Sequence, residues 1–255
     1  MTLKPGLAYR FYHILWSGLD LLFPPLCGGC GKLGSRWCEA CQQKMLPIPL
    51  PICEICGETQ PLPGICRKCQ NTRPAFYALR SCVVFCEPVR PALIKLKYHH
   101  EIGLGEALAG CLAKFLDGLG WQADFILPIP LSEQRFAERG YNQVDLIAHP
   151  LSRVVGWHYL PGALHRIRHT GSQVGLDARA RRLNVSGVFQ ANSHLVKGKI
   201  FLLIDDVATT GSTMDSASRA LLAAGASKVY ALTFARALQL YGSDHIKSLP
   251  SRSLR

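Results

Sequence analysis

The stretch that most restricts the fold runs from Lys199 to Phe234. An apolar run, Lys199–Asp205, brings the chain to two adjacent acids, Asp205 and Asp206. A turn of small residues follows. Ser212–Ala224 then carries helical periodicity as far as Gly225, a residue suited to closing a helix, and a second apolar run occupies Lys228–Phe234. Strand, turn, helix and strand in that order predict a βαβ unit in a parallel sheet. Upstream, Ala78–Phe85 and Asp124–Pro130 read as strands, and Pro88–Tyr98, Leu104–Leu119 and Asn142–Val155 as helices. An α/β domain is therefore expected from about Tyr77 onward. Residues 161–186 are Arg-rich and weakly patterned, and read as an arm with a short helix near 176–184.

A carboxylate pair at the carboxyl end of a strand lies where open α/β sheets bind ligands. Two neighbouring carboxylates suit a pair of sugar hydroxyls, or Mg2+ held through water. The turn Ala208–Thr213 leads into a helix. Its backbone N–H groups and the hydroxyls of Thr209, Thr210, Ser212 and Thr213, with the positive end of the helix dipole, make a cradle for an anion. A diol site followed by a phosphate site describes a pentose 5-phosphate. The plain alternative is turn and cap chemistry with no ligand, Thr210 or Ser212 capping the helix. Two rival phosphate motifs fail: Gly103-x-Gly105 lacks its third glycine, Leu108 standing there, and no GxxxxGK[ST] occurs.

The whole string FLLIDDVATTGST, residues 201–213, resembles the phosphoribosyl diphosphate (PRPP) binding motif of type I phosphoribosyltransferases. The resemblance implies that Asp205 and Asp206 contact the ribose hydroxyls. It implies that Val207, Ala208, Thr209, Thr210, Gly211, Ser212 and Thr213 hold the 5-phosphate, with Mg2+ accompanying PRPP. It also implies a pyrophosphate loop after an earlier strand, which falls on Leu131–Arg135 and includes Ser132, with Arg139 nearby. Cations there would stabilise a departing pyrophosphate, so Arg135 joins Asp205 and Asp206 as a catalytic candidate.

Eight of the 11 cysteines form Cys27-x2-Cys30-x7-Cys38-x2-Cys41 and Cys53-x2-Cys56-x9-Cys66-x2-Cys69. Each CxxC turn supplies two thiolates, and four thiolates complete a tetrahedral Zn2+ site with no open position, so these sites are read as two structural zinc sites. Gly31 and Gly57 follow the second cysteine of their pairs, where a metal knuckle often needs positive φ. The spacing leaves the pairing open, neighbouring or interleaved. With few large apolar residues, this region would draw its folding energy from metal. Disulfides conflict with the lack of a secretory signal. That lack predicts a cytoplasmic protein, and no run is long and apolar enough to predict an integral membrane segment. Cys82, Cys86 and Cys111 read as buried structural thiols. Ahead of the cysteines, Leu7, Phe11, Ile14, Leu15, Leu19 and Leu22 recur at helical spacing and predict an amphipathic leader helix.

Three more stretches carry a narrower resemblance. RGYNQ, Arg139–Gln143, is similar to the RGFNQ signature of the ComF family, associated with DNA uptake and use. LIKLKYHHEIGLGEALA (93–109) resembles the family's segment with Lys97 before an aromatic residue. RIRHTGSQVGLDARARRLNVSGVF (166–189) resembles its basic arm, with Arg166, Arg168, Thr170, Gln173, Leu176, Arg179, Arg182, Asn184 and Phe189 in place. The cysteine pairs resemble its double zinc ribbon. The resemblance implies a type I phosphoribosyltransferase-like parallel sheet flanked by helices, behind a small N-terminal zinc-ribbon region. Expected divisions are a leader at 1–26, the ribbon at 27–74, the phosphoribosyltransferase-like domain at 75–240 and a flexible basic tail at 241–255.

Two functions follow from the resemblance. The first is a ribosyl transfer from PRPP that releases pyrophosphate, with Lys97 and Arg139 among the PRPP-binding residues. The second is a non-catalytic PRPP sensor that engages single-stranded DNA or a DNA-uptake helicase. A formal net charge of +12 favours anionic partners. Trp37, Phe76 and Tyr77 are candidates for stacking on bases. Against a site role, Arg135, Arg139, Arg166 and Arg168 read equally well as a solvated basic face.

Overall fold

The expected βαβ unit occupies the middle of a larger sheet. In the computed structural model, which describes residues 24–167 and 187–238, two short helices come first: α1 (Glu39–Gln43) and α2 (Arg67–Asn71). They are followed by β1 (Ala78–Val84), α3 (Val89–Tyr98), α4 (Leu104–Leu119), β2 (Phe125–Pro128), α5 (Glu133–Arg139), α6 (Asp145–Val155) and β3 (His158–Tyr159). Then come β4 (Leu164–Arg166), β5 (Phe189–Ala191), α7 (Ser193–Val196), β6 (Ile200–Ala208), α8 (Ser212–Ala223) and β7 (Lys228–Arg236). The leader helix, the short helix near 176–184 and the basic tail 241–255 lie outside the described residues.

Five strands pair in the order β1-β7-β6-β2-β3, every neighbouring pair parallel, while β4 and β5 make a separate antiparallel ribbon. Two expectations shift. β6 continues to Ala208, because β7 keeps pairing with it as far as Arg236, so Asp205 and Asp206 lie within the strand instead of ending it. Arg135, expected in a loop, lies on α5. Ser132 caps this helix, its Oγ accepting from the Arg135 N–H at 3.4 Å, and Gly140 closes it at φ 75°.

Each face of the sheet has its own core. Leu202 and Ile204 of β6 pack into one, with Leu93 and Leu96 of α3, Leu108 and Leu112 of α4 and Ile147 of α6. Phe201 and Leu203 face the other, with Met214, Ala217 and Leu221 of α8. This is the period-2 alternation of a strand buried on both sides.

The two cysteine clusters sit on opposite faces. Cys27, Trp37 and Cys41 belong to the α3–α4 core, and Cys53, Ile55, Cys56 and Cys69 to the α8 core. The cysteine region covers the outer edge of β1: Leu79 N–H donates to Ile55 O (2.7 Å) inside the second cluster, and Val84 N–H to Leu46 O (2.8 Å) between the clusters. An edge strand is thereby protected from pairing with another chain.

Helices α4 and α6 cross at Gly105. A Cβ there would lie 2.4 Å from the Leu146 carbonyl oxygen, which is backbone and cannot swing aside. Alanine favours a helix over glycine by about 1 kcal/mol, but overpacking of this kind costs about 1–3 kcal/mol. The net cost is about 1 kcal/mol, so Gly105→Ala is expected to lower Tm by about 2–4 °C in thermal denaturation, at about 2–4 °C per kcal/mol for a chain of this size.

Candidate functional site

The chain leaves β2 for β3 on one side of the sheet and leaves β6 for β7 on the other. The carboxyl ends of β2 and β6 are adjacent, so the connections diverge between them, which is where open parallel sheets form their binding crevice. A cavity of about 570 Å3 opens at this point. It is lined from β2 onward by Ile129, Leu131 and Ser132, and from β6 onward by Asp205, Asp206, Val207, Thr209 and Thr213. Lys97 reaches it from α3, Arg135 and Arg139 from α5, and Arg166 from β4.

Adjacent strand residues normally face opposite sides, yet both acids line this cavity. The alternation slips by one at the acids: beyond them Val207 packs with the α3–α4 core and Ala208 with the α8 core. Each carboxylate is steadied by the next peptide. Asp205 Oδ1 accepts from the Asp206 N–H at 2.8 Å, and Asp206 Oδ1 from the Val207 N–H at 3.0 Å. Lys97 Nζ forms an ion pair with Asp206 Oδ2. Asp205 keeps partial exposure to the cavity. Loss of solvation, then the charge of Asp206, still push its carboxyl well above the usual carboxylate range, against the lowering effect of Lys97.

The cations fall into two kinds. Arg139 is buried, its guanidinium donating to Gln143 Oε1 (2.7 Å) and Tyr98 Oη (3.2 Å) while stacking 4.8 Å above the Tyr98 ring. A solvated face is excluded for it. The RGYNQ segment is a local clasp: Asn142 Nδ2 donates to Ile129 O, and Tyr141 Oη to Leu96 O, tying α3, α5 and the end of β2 together. Arg135 and Arg166 face the cavity from different elements. Burial, and then the charge of Arg135, lower the Arg166 pKa, whereas Asp205 raises it. Arg166 thus belongs with the site. Its register opposite Phe189 in the β4–β5 ribbon, which only pairing reveals, brings it there. Arg168 and the rest of the arm to Asn184 lie outside the described residues.

The N-cap position of α8 itself makes no side-chain hydrogen bond. Gly211 is its N-cap residue, at φ 75°; Thr210 Oγ1 donates to Ser212 Oγ at 3.0 Å and accepts from the Ser212 N–H at 3.4 Å. Thr209 and Thr213 line the cavity. Ala208 is instead buried in the α8 core, and Thr210, Gly211 and Ser212 form the frame of the turn.

The open question of cysteine pairing is settled by distance. Cys27, Cys30, Cys38 and Cys41 form one cluster, and Cys53, Cys56, Cys66 and Cys69 another, all four Sγ atoms in each lying within 4.8 Å of one another. Tetrahedral Zn–S bonds of about 2.3 Å place sulfurs about 3.8 Å apart; Cys30–Cys38 and Cys56–Cys66 are each 3.7 Å. The first cysteine of each set is prepared as a thiolate. Burial alone would raise Cys27 and Cys53, but surrounding N–H donors, among them Cys38 N–H (3.4 Å) and Cys66 N–H (3.3 Å), bring them down to about 6 and about 7. Both clusters fit structural zinc. Gly31 and Gly57 have φ of 74° and 68°.

Other expectations are corrected. Cys82, Cys86 and Cys111 are half-buried; Cys82 and Cys111 pack against the α3–α4 core from its margin. Trp37 (8% exposed) and Phe76 (3%) are core residues, closed off by the packing of the cysteine region on the sheet. Of the three proposed stacking aromatics only Tyr77 is exposed, with Lys228 Nζ 4.7 Å above its ring. Among the described residues no helix is long and apolar enough to cross a membrane.

Comparison with known proteins agrees with this architecture. The model of the double zinc ribbon domain matches residues 18–89, and that of the phosphoribosyl transferase domain residues 147–252. The chain is 31% identical to DNA utilization protein YhgH of Escherichia coli K12 over 234 residues, 86% of this chain and 100% of that one. It is 30% identical to competence protein F of Haemophilus influenzae over 209 residues, 78% and 90% of the two chains. Among solved structures, glutamine PRPP amidotransferase of Bacillus subtilis aligns at 19% identity over 55% of this chain and 30% of its own. Its TM-score is 0.38, a likeness too slight to argue from.

Asp205 yields a pH prediction. Its folded-state pKa lies above the unfolded value of about 3.9, so the folded protein holds a proton that the unfolded chain gives up. The contribution to stability is complete below the unfolded value and is lost as pH rises through the folded one. Asp205→Asn does not titrate. Its Tm advantage over the parent is expected to be smallest near pH 5 and to grow steadily as pH rises to 8. A gap that stays constant or shrinks with pH would contradict the assignment.

Proposed function

The chain belongs to the ComF family of competence and DNA-utilization proteins, and on that premise we propose that it binds PRPP with Mg2+ in the cavity between β2 and β6. The observation that carries the reading is the convergence, at the point where the sheet connections diverge, of a carboxylate pair, a helix N-terminus with glycine at its N-cap and two arginines. The acids accept hydrogen bonds from the ribose hydroxyls, and the turn from Thr209 to Thr213 receives the 5-phosphate through its N–H groups and hydroxyls. Arg135 and Arg166 face the pyrophosphate, where cations lower the energy of a leaving group gaining charge. Asp205 and Asp206 offer the hard oxygen donors that Mg2+ takes, and the ion would supply neutralisation of the diphosphate. Lys97 is the counter-charge of Asp206 before ligand arrives. The role proposed for this ligand site is in DNA uptake or the use of exogenous DNA, in the cytoplasm.

If transfer occurs, the bond from ribose C1 to the pyrophosphate oxygen breaks. A bond from C1 to an acceptor forms, and the acceptor's proton leaves to solvent. Isothermal titration of the zinc-loaded chain with PRPP is expected to show binding that requires Mg2+. The combined Asp205→Asn and Asp206→Asn variant should lose roughly 100-fold or more in affinity, since each hydrogen bond to a charged group contributes about 1.5–3 kcal/mol. A folded parent that does not bind PRPP would sink the reading. Pyrophosphate release with added acceptors separates transfer from binding alone.

A further inference from the structure

The turn assigned above to the 5-phosphate is held from outside by the second cysteine cluster. Lys68 lies on α2, between Cys66 and Cys69, and its Nζ donates to the Thr210 carbonyl oxygen at 3.1 Å. The peptide that follows Thr210 is planar, with its C=O and N–H pointing in opposite directions. Drawing the Thr210 carbonyl toward Lys68 therefore aims the Gly211 N–H away from the cluster. Gly211 takes φ 75°, a left-handed conformation that glycine adopts at little cost.

The same piece is fixed at two further points. Ala75 N–H, just past the second cluster, donates to Asp215 Oδ1 in the first turn of α8 at 2.6 Å. Leu79, whose N–H is bonded to Ile55 O within the cluster, presses its side chain against the turn: a Cβ on Gly211 would lie 3.1 Å from Leu79 Cδ2. Leu79 is itself seated against the knuckle, since a Cβ on Gly57 would come within 2.5 Å of its carbonyl oxygen. The first cluster makes no comparable contact with the turn among the described residues; it meets α3 instead, where Lys95 Nζ donates to Cys27 O at 3.4 Å.

We propose that Lys68 is a positioning residue for the phosphate turn, and that the second four-cysteine knuckle thereby sets the affinity of the cavity for a phosphomonoester. The proposal rests on the ligand reading given above. Lys68 is exposed and does not line the cavity, so it acts through the Thr210 peptide and not by covering the ligand. Zinc in the Cys53 cluster would keep α2, and Lys68 with it, in register with the turn.

The test compares the full zinc-loaded chain with Lys68→Ala and Lys68→Arg. Ribose 5-phosphate is the titrant, and amide hydrogen exchange is measured on the unliganded proteins. Lys68→Ala is expected to weaken ribose 5-phosphate about tenfold, the loss of one charge-assisted hydrogen bond. It should speed exchange at residues 210–213 while leaving zinc content unchanged and Tm within about 2 °C, the range of surface substitutions. Lys68→Arg, which keeps a cationic donor, restores both. Unchanged affinity and exchange in Lys68→Ala would overturn the proposal, as would loss of zinc, which would place the action of Lys68 on the knuckle itself. Should the parent fail to bind ribose 5-phosphate, the claim on phosphomonoester affinity falls; the exchange rates still decide whether Lys68 holds the turn, and the PRPP titration decides the ligand reading.

Discussion

Two adjacent carboxylates inside a central strand repel one another and lose solvation together, and the surroundings of the cavity answer that repulsion. Unit charges about 4 Å apart interact by about 4 kcal/mol at the effective dielectric of a protein surface. The acids meet it in two ways. Asp205 retains its proton more readily than a free carboxyl, and Asp206 takes Lys97 as a partner. Arg135 and Arg166 add positive charge from two further elements. The cations repel each other in turn: burial first, and then the charge of Arg135, lower the Arg166 pKa. The ligand proposed for the cavity would bring hydroxyls to the acids and anionic oxygens to the arginines.

The cysteine clusters are part of the same body as the sheet. They lie on opposite faces, and the second cluster and the segment ahead of it cover the edge of β1 with backbone hydrogen bonds. Arg236, almost wholly buried at the end of β7, strengthens the link by donating to Glu58 Oε2 at 2.9 Å and to the Cys56 carbonyl. A buried guanidinium needs such partners, because an unpaired buried charge is strongly destabilising. Metal binding and sheet folding are therefore coupled: whatever disorders a knuckle exposes apolar surface on the adjoining face of the sheet.

The long elements were legible in the sequence. β1, β2, β6 and β7, with α3, α4, α6 and α8, fall within a few residues of their expected positions, because each carries enough periodic apolar residues to declare its type. The short ones were not. α5 spans seven residues with Phe136 as its one large apolar side chain, half exposed, so no period could emerge. β3 and β5 owe their existence to partners distant in the chain. At the site, the acids and the hydroxyl turn were plain from their order. The burial of Arg139 was not, since it depends on Tyr98, 41 residues away. Trp37 and Phe76 misled for the same reason: an aromatic in a loop-rich segment looks available until the packing that hides it is known.

By itself the sequence determined the ingredients and their local order: a strand carrying two acids into a hydroxyl turn and a helix, and eight thiols in four pairs. Those are matters of neighbouring residues, and local chemistry fixes them. Tertiary structure decided which thiols share a site and that both acids reach one cavity. It also decided that Lys97, Arg135 and Arg166 meet there, and that the second knuckle grips the turn through Lys68. The physical reason is strand order. β6 lies between β2 and β7, and that arrangement, with α3 and the β4–β5 ribbon packed beside it, brings together groups separated by about a hundred residues of chain.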